Sequence, residues 1–116
     1  MSETSSKANL EDFEKLDIRI GRVIDVQPFP EGRHSTHVLM IDFGLELGTK
    51  KSLAKLAPNY DGPEVVGRQV LAVVNFPPRQ IGKQLSEVLT LGVPDECGNV
   101  VLLRPDQDVP QGGRLY

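Results

Sequence analysis

The 116-residue chain contains one cysteine, Cys97, so no internal disulfide can form and packing alone must hold the fold. No apolar run comes near the ~20 residues that a membrane-spanning helix needs, and no membrane insertion is expected. The opening stretch, MSETSSKANLEDFEKL, is polar and acidic. It lacks the basic and then apolar order of a secretory signal. Together these absences point to a cytoplasmic protein. There are only two histidines, His34 and His37. At that spacing in an extended chain they fall on opposite faces, which makes joint metal ligation awkward. The motifs G-x-S-x-G, H-E-x-x-H, C-x-x-C, the P-loop and G-x-G-x-x-G are all missing. Cys97 lies in DECGN, behind two acids that disfavour a thiolate nucleophile. The expectation is a non-catalytic protein with no metal and no cofactor.

A net positive charge is missing too. The balance is −3, and a uniformly acidic surface repels phosphate, so the distribution matters more than the sum. Between Arg33 and Lys83 stand seven basic residues (Arg33, Lys50, Lys51, Lys55, Arg68, Arg79, Lys83) against four acids (Asp42, Glu46, Asp61, Glu64). The middle of the chain is therefore positive and its flanks negative. Charge alone leaves open whether that excess gathers on one surface or scatters.

Hydrophobic residues make up 39% of the chain, enough for one modest core at this length. A polar tail over residues 1–8 and a single domain over 9–116 are expected. Asn9 reads as an N-cap, with Glu11 and Asp12 favouring the helix dipole. Leu10, Phe13 and Leu16 recur at helical spacing, which predicts a short amphipathic helix over about 9–15. At Asp17 the period becomes that of a strand, with Ile18, Ile20, Ile24 and Val26 on one face. Arg22 interrupts that face beside Gly21, and the phase error predicts a bulge or bend there. A strand bent in its middle can belong to two sheets, which is how small barrels close. Further strands are expected at His37–Phe43, Thr49–Leu56, Gln69–Phe76, Leu85–Leu91 and Val100–Leu103. Loops are expected at 29–33, 57–67 and 77–84, the last because Pro77 and Pro78 lack N–H donors. Asp42 sits where a strand disfavours aspartate and is expected to accept from turn amides near Gly44. One short helix followed by about six short strands predicts a mainly β barrel or sandwich.

The most informative stretch is GRQVLAVVNFPPRQIGKQLSEVL, residues 67–89. A buried strand ends in Asn75, and a proline-stiffened loop then carries Arg79 and Lys83 toward Ser86. Restricting the loop lowers the cost of presenting Arg79. Its guanidinium fork suits phosphate, and Asn75 and Ser86 carry groups for sugar, phosphate or base edges.

These residues carry a resemblance. FEKLDIRIGRVIDV, FPEGR, MIDFG, VVNFPPRQIG, SEVLTLG and VVLLRPDQDVP, in this order, resemble the tRNA-binding domain family over about residues 10–116. The Val88–Leu89 pair stands where synthetase-linked relatives have Gly-Met, which favours the stand-alone CsaA-type branch. The resemblance implies an OB-fold five-stranded barrel with a short N-terminal helix and extra C-terminal strands. It also implies a homodimer and recognition of tRNA by shape and backbone. The apolar stripe of Leu10, Phe13 and Leu16, on a helix outside the barrel, is the expected dimer interface; the alternative is that it plugs the open end of the monomer's own barrel. Arg33, Asn75, Arg79 and Ser86 match the family pattern. With Lys50, Lys51 and Lys83 they form the expected nucleic-acid-binding face. The branch also implies binding of unfolded or presecretory polypeptides as an alternative function, and docking on a protein partner is a third.

Overall fold

The computed structural model describes residues 6–116. The first five residues of the expected tail lie outside the described residues, and residues 6–8 lead into the helix without regular structure. Helix α1 spans Leu10–Lys15. Asn9 Oδ1 accepts from the Asp12 amide at 3.0 Å, and Asp12 Oδ2 accepts from the Asn9 amide at 2.9 Å. This reciprocal pair satisfies donors that a helix start leaves orphaned. The other end is tied by side chains from afar. Asn75 Nδ2 donates to the Lys15 carbonyl at 2.8 Å, and Arg114 donates to the Glu14 carbonyl at 2.9 Å.

Nine strands follow among the described residues: β1 Ile18–Pro28, β2 His37–Asp42, β3 Thr49–Ala54, β4 Gln69–Val73, β5 Arg79–Ile81, β6 Gln84–Ser86, β7 Leu89–Thr90, β8 Gly92–Pro94 and β9 Val100–Leu102. Five of them form an antiparallel sheet in the order β3-β2-β1-β4-β7. The two outer strands meet through side chains, with Ser52 Oγ and Thr90 Oγ1 2.7 Å apart. That contact nearly closes the sheet into the barrel expected from the sequence, with the strand order of an OB fold.

Strand β1 makes the closure possible. Its first half, Ile18 to Arg22, pairs with β4, and its second half, Arg22 to Pro28, pairs with β2. The tail fills the edge left beside the first half. The Gly112 amide donates to the Ile20 carbonyl at 2.7 Å, and the Leu115 amide to the Ile18 carbonyl at 2.9 Å. The bulge lies later than Gly21. Val23 pairs with Ile41 and Asp25 with Met40, leaving Ile24 as the extra residue. Ile24 is accordingly 49% exposed while Val23 is fully buried, the reverse of the expected facing. Gly21 is required for space instead of backbone angle. A Cβ there would stand 2.4 Å from Ile41 Cγ2 and 2.7 Å from the Phe43 ring.

The interior is one apolar cluster that includes Val23, Leu39, Ile41, Phe43, Leu56 and Val70, each almost completely buried. Val65, on the 3₁₀ turn Pro63–Val65, joins it. Asp42 acts as expected, accepting from the Gly44 amide at 2.9 Å.

Several expectations fail in the second half. Residues 77–84 are not simply a loop, because β5 and β6 pair as a hairpin outside the barrel. The prolines only precede the pairing, so the missing donors cost nothing. The expected strand Leu85–Leu91 is accordingly split between β6 and β7, which belong to different sheets. Strand β4 stops at Val73, and β8, paired with β9, was not foreseen.

Candidate nucleic-acid interface

The loop between β1 and β2 and the excursion between β4 and β7 come together on one side of the barrel. A small cluster outside the main core explains why. Val38 on β2 and Leu53 on β3 pair across the sheet, offset by one residue from the core-facing Leu39 and Ser52. Alternation therefore turns them to the outer face. Phe29 from the loop and Ile81 from the hairpin cover them, and Phe29 is only 3% exposed. The loop thus carries an apolar anchor immediately before its charged residues, and the hairpin carries one just after Arg79.

The base of the hairpin is sewn to β3. Ser86 Oγ accepts from the Leu53 amide and donates to the Val88 carbonyl, each at 3.1 Å. The Lys51 amide donates to Glu87 Oε1 at 2.9 Å, and the Glu87 amide donates to the Lys51 carbonyl at 2.8 Å. Lys51 Nζ donates to Gln84 Oε1 at 3.0 Å. At the tip, Gly82 has φ of 60°, a left-handed conformation that tight hairpin turns need and glycine takes at little cost.

Between loop and hairpin lies an open groove of about 500 Å³, lined by Glu31, Arg33, His34, Arg79 and Gly82 among others. Arg33 and Arg79, far apart in sequence, therefore share one concave surface. Lys83 is exposed at the hairpin tip beside Gly82. The other expected residues sit differently. The amine of Lys51 is engaged by the hairpin it supports, and Lys50 precedes it on β3. Ser86 is 3% exposed and its hydroxyl is used on both sides within the protein. Asn75 gives its amide to α1, donating to Lys15 and accepting from the Asp17 amide at 2.9 Å. Sequence reasoning missed the places of His34 and Glu31 in the groove. Their only signal was position, since both flank Arg33 in the turn-rich segment after Phe29.

The expected interface residues of α1 are not folded into the barrel. Leu10 is 71% exposed. Together with Phe13, Leu16, Leu115 and Tyr116 it lines a mainly apolar groove of about 530 Å³, to which Glu14 and Arg114 also contribute. On a different part of the surface, Arg68, Arg104, Asp106 and Asp108 line a polar groove whose charges offset one another. Among the described residues there is no group of three or more metal-ligating side chains, and no helix is long and apolar enough to cross a membrane.

Residues 18–114 match the family described as "Putative tRNA binding domain". The chain is 43% identical to the chaperone CsaA of Bacillus anthracis, covering 96% of this chain and 100% of that one, with a TM-score of 0.87. It is 40% identical to the CsaA chaperone protein of Picrophilus torridus, covering 95% and 100%, again with a TM-score of 0.87. It is also 33% identical to the methionine–tRNA ligase of Thermococcus onnurineus over 90% of this chain but only 14% of that enzyme. The chain thus spans a small fraction of the curated ligases that it matches.

Proposed function

Because this chain belongs to the tRNA-binding domain family, matched over residues 18–114, we propose that it binds tRNA without catalysing a reaction on it. The observation that carries this reading is the groove that places Arg33, His34 and Arg79 on one surface. Two guanidinium groups across a concave face suit successive backbone phosphates, which are read by position and not by sequence. Lys83 at the hairpin tip and Lys50 on β3 add long-range attraction. Lys51, Ser86 and Asn75 act indirectly, by fixing the hairpin and the helix. Such a ligand places the protein's work in the cytoplasm.

The test is a titration with total tRNA across a salt series. Replacing Arg79 by Ala removes one phosphate contact and is expected to lower the slope of log affinity against log salt by roughly 0.7 to 0.9. Arg104→Ala, in the charge-balanced groove, is expected to change little. Equal losses from both would replace a defined site by diffuse attraction.

We also assign the groove of Leu10, Phe13, Leu16, Leu115 and Tyr116 to contact with a second copy of the chain. Its apolar side chains lie outside the barrel and need a partner. Sedimentation at micromolar concentration is expected to give a dimer, and a monomer there ends the assignment. Binding of unfolded polypeptides is a second reading. It is favoured by the CsaA relatives' description as chaperones and by Val93 and Val101, both exposed on the β8–β9 hairpin. Apolar capture of this kind persists or strengthens as salt rises, whereas phosphate contact weakens.

A further inference from the structure

Arg79 lines two cavities. One is the groove shared with Arg33; the other is a slot of about 180 Å³ bordered by Phe76, Pro77, Glu87 and Leu89. Phe76 is 43% exposed, whereas Phe29 and Phe43 are buried and Phe13 lies on α1. An exposed phenyl ring costs hydration unless something covers it. Phe76 follows β4 and precedes Pro77 and Pro78, whose fixed φ angles restrict its backbone. The ring is therefore presented at low conformational cost. Glu87 is the carboxylate that lines the same slot. Its Oε1 is tied to the Lys51 amide at 2.9 Å, which holds the carboxylate in place, and its second oxygen keeps acceptor capacity.

A planar apolar face, a fixed acceptor and a guanidinium lining one slot match the parts of a single nucleotide: base face, base edge and phosphate. The geometry points to a nucleobase slot at Phe76 and Glu87, which takes one unpaired base carrying an exocyclic amino group while Arg79 holds the adjoining phosphate. Base stacking on aromatic rings is a recurrent way to bind single-stranded RNA. A carboxylate accepts from the amino group of cytosine and finds no such donor at the corresponding edge position of uracil. The slot rests on the RNA-binding reading above and adds to it a site that reads a base as well as the backbone.

The experiment uses the full chain with three probes: total tRNA, and single-stranded oligocytidylate and oligouridylate of equal length. The wild type is expected to bind the cytidine oligomer several-fold more tightly. Phe76→Ala is expected to weaken both oligomers about tenfold, and Phe76→Tyr to restore them. Glu87→Gln keeps an acceptor for Lys51 and is expected to erase the preference for cytidine. Because Phe76 is exposed, the melting temperature is expected to hold in both Phe76 variants. If Phe76→Ala leaves RNA binding unchanged while Arg79→Ala weakens it, the slot is refuted and the phosphate groove stands. If neither change matters, the RNA reading of this face falls as well. If Phe76→Ala instead weakens capture of a permanently unfolded polypeptide and spares RNA, the slot receives an apolar side chain and the nucleobase assignment is overturned.

Discussion

The barrel interior and the patch on its outer face are both made of Val, Leu, Ile and Phe, yet they are built for different ends. Inside, Leu39, Ile41 and Phe43 are enclosed on every side by strands, and the ladder of hydrogen bonds leaves them little room to relax. Outside, Val38 and Leu53 are covered by Phe29 from one loop and Ile81 from one hairpin, and hydrogen bonds to β3 hold the hairpin base. The first region determines whether the chain folds, and the second determines where Arg33 and Arg79 stand. A small cluster is enough for the second task, because positioning two loops needs one shared anchor and not a closed core.

Substitutions separate the two regions. Gly21→Val is expected to have the largest effect. The new side chain would overlap Ile41 and Phe43, both locked in the core, and overpacking of this kind costs about 3 kcal/mol. Chemical denaturation measures it, and a loss below ~1 kcal/mol would mean that the barrel yields more than its packing implies. Phe29→Ala comes next, with about 2 kcal/mol lost. That is less than a closed core pays, because the loop can settle into the space. Its signature is a fall in tRNA affinity larger than any change in melting temperature, since Arg33 and Arg79 lose their common anchor. Asn75→Ala removes two hydrogen bonds at an exposed helix end and is expected to cost about 1 kcal/mol. Helical circular dichroism should decline while the groove keeps its affinity.

The smallest effect belongs to Asp95, in the turn between β8 and β9. Its carboxylate accepts from the Asn59 side chain at 3.0 Å and from the amides of Cys97 and Asn99 at 2.9 and 3.0 Å. The hydrogen bond from Asn59 leads in holding its pKa below the ordinary value, followed by those from the backbone. A carboxyl with a lowered pKa in the folded state adds stability above its unfolded pKa, near ~3.9. That contribution fades as pH falls through the folded value. Asp95→Asn should therefore melt slightly lower than wild type at pH 7. The gap should close in strong acid, and a gap independent of pH would assign the effect to shape alone.

Much of this was legible in advance because it is local. The Asn9 cap acts within one helical turn, and Asp42 reaches an amide two residues away. The alternation in β2 and β3 needs no knowledge of their neighbours. The misreadings share a different cause. Ile24 and Val23 exchanged places because a bulge changes facing without altering composition. The segment after Pro78 has few strand-like residues and resembles a loop in sequence, and only pairing with a second short segment makes it a hairpin. Asn75 and Ser86 looked like ligand groups because a polar side chain reads the same in sequence whether its partner is RNA or a distant carbonyl.

The sequence by itself therefore determined the class of fold, the helix and its cap, and the basic middle of the chain. Each of these follows from spacing or charge. Only the tertiary structure decided which basic residues meet. Arg33 and Arg79 come together through Phe29 and Ile81 packing on Val38 and Leu53, contacts between segments far apart along the chain. The same folding turned Ser86 inward and spent Asn75 on a helix. The physical reason is that hydrogen bonds and burial are satisfied by whatever lies near in space, and chain spacing does not encode that neighbourhood.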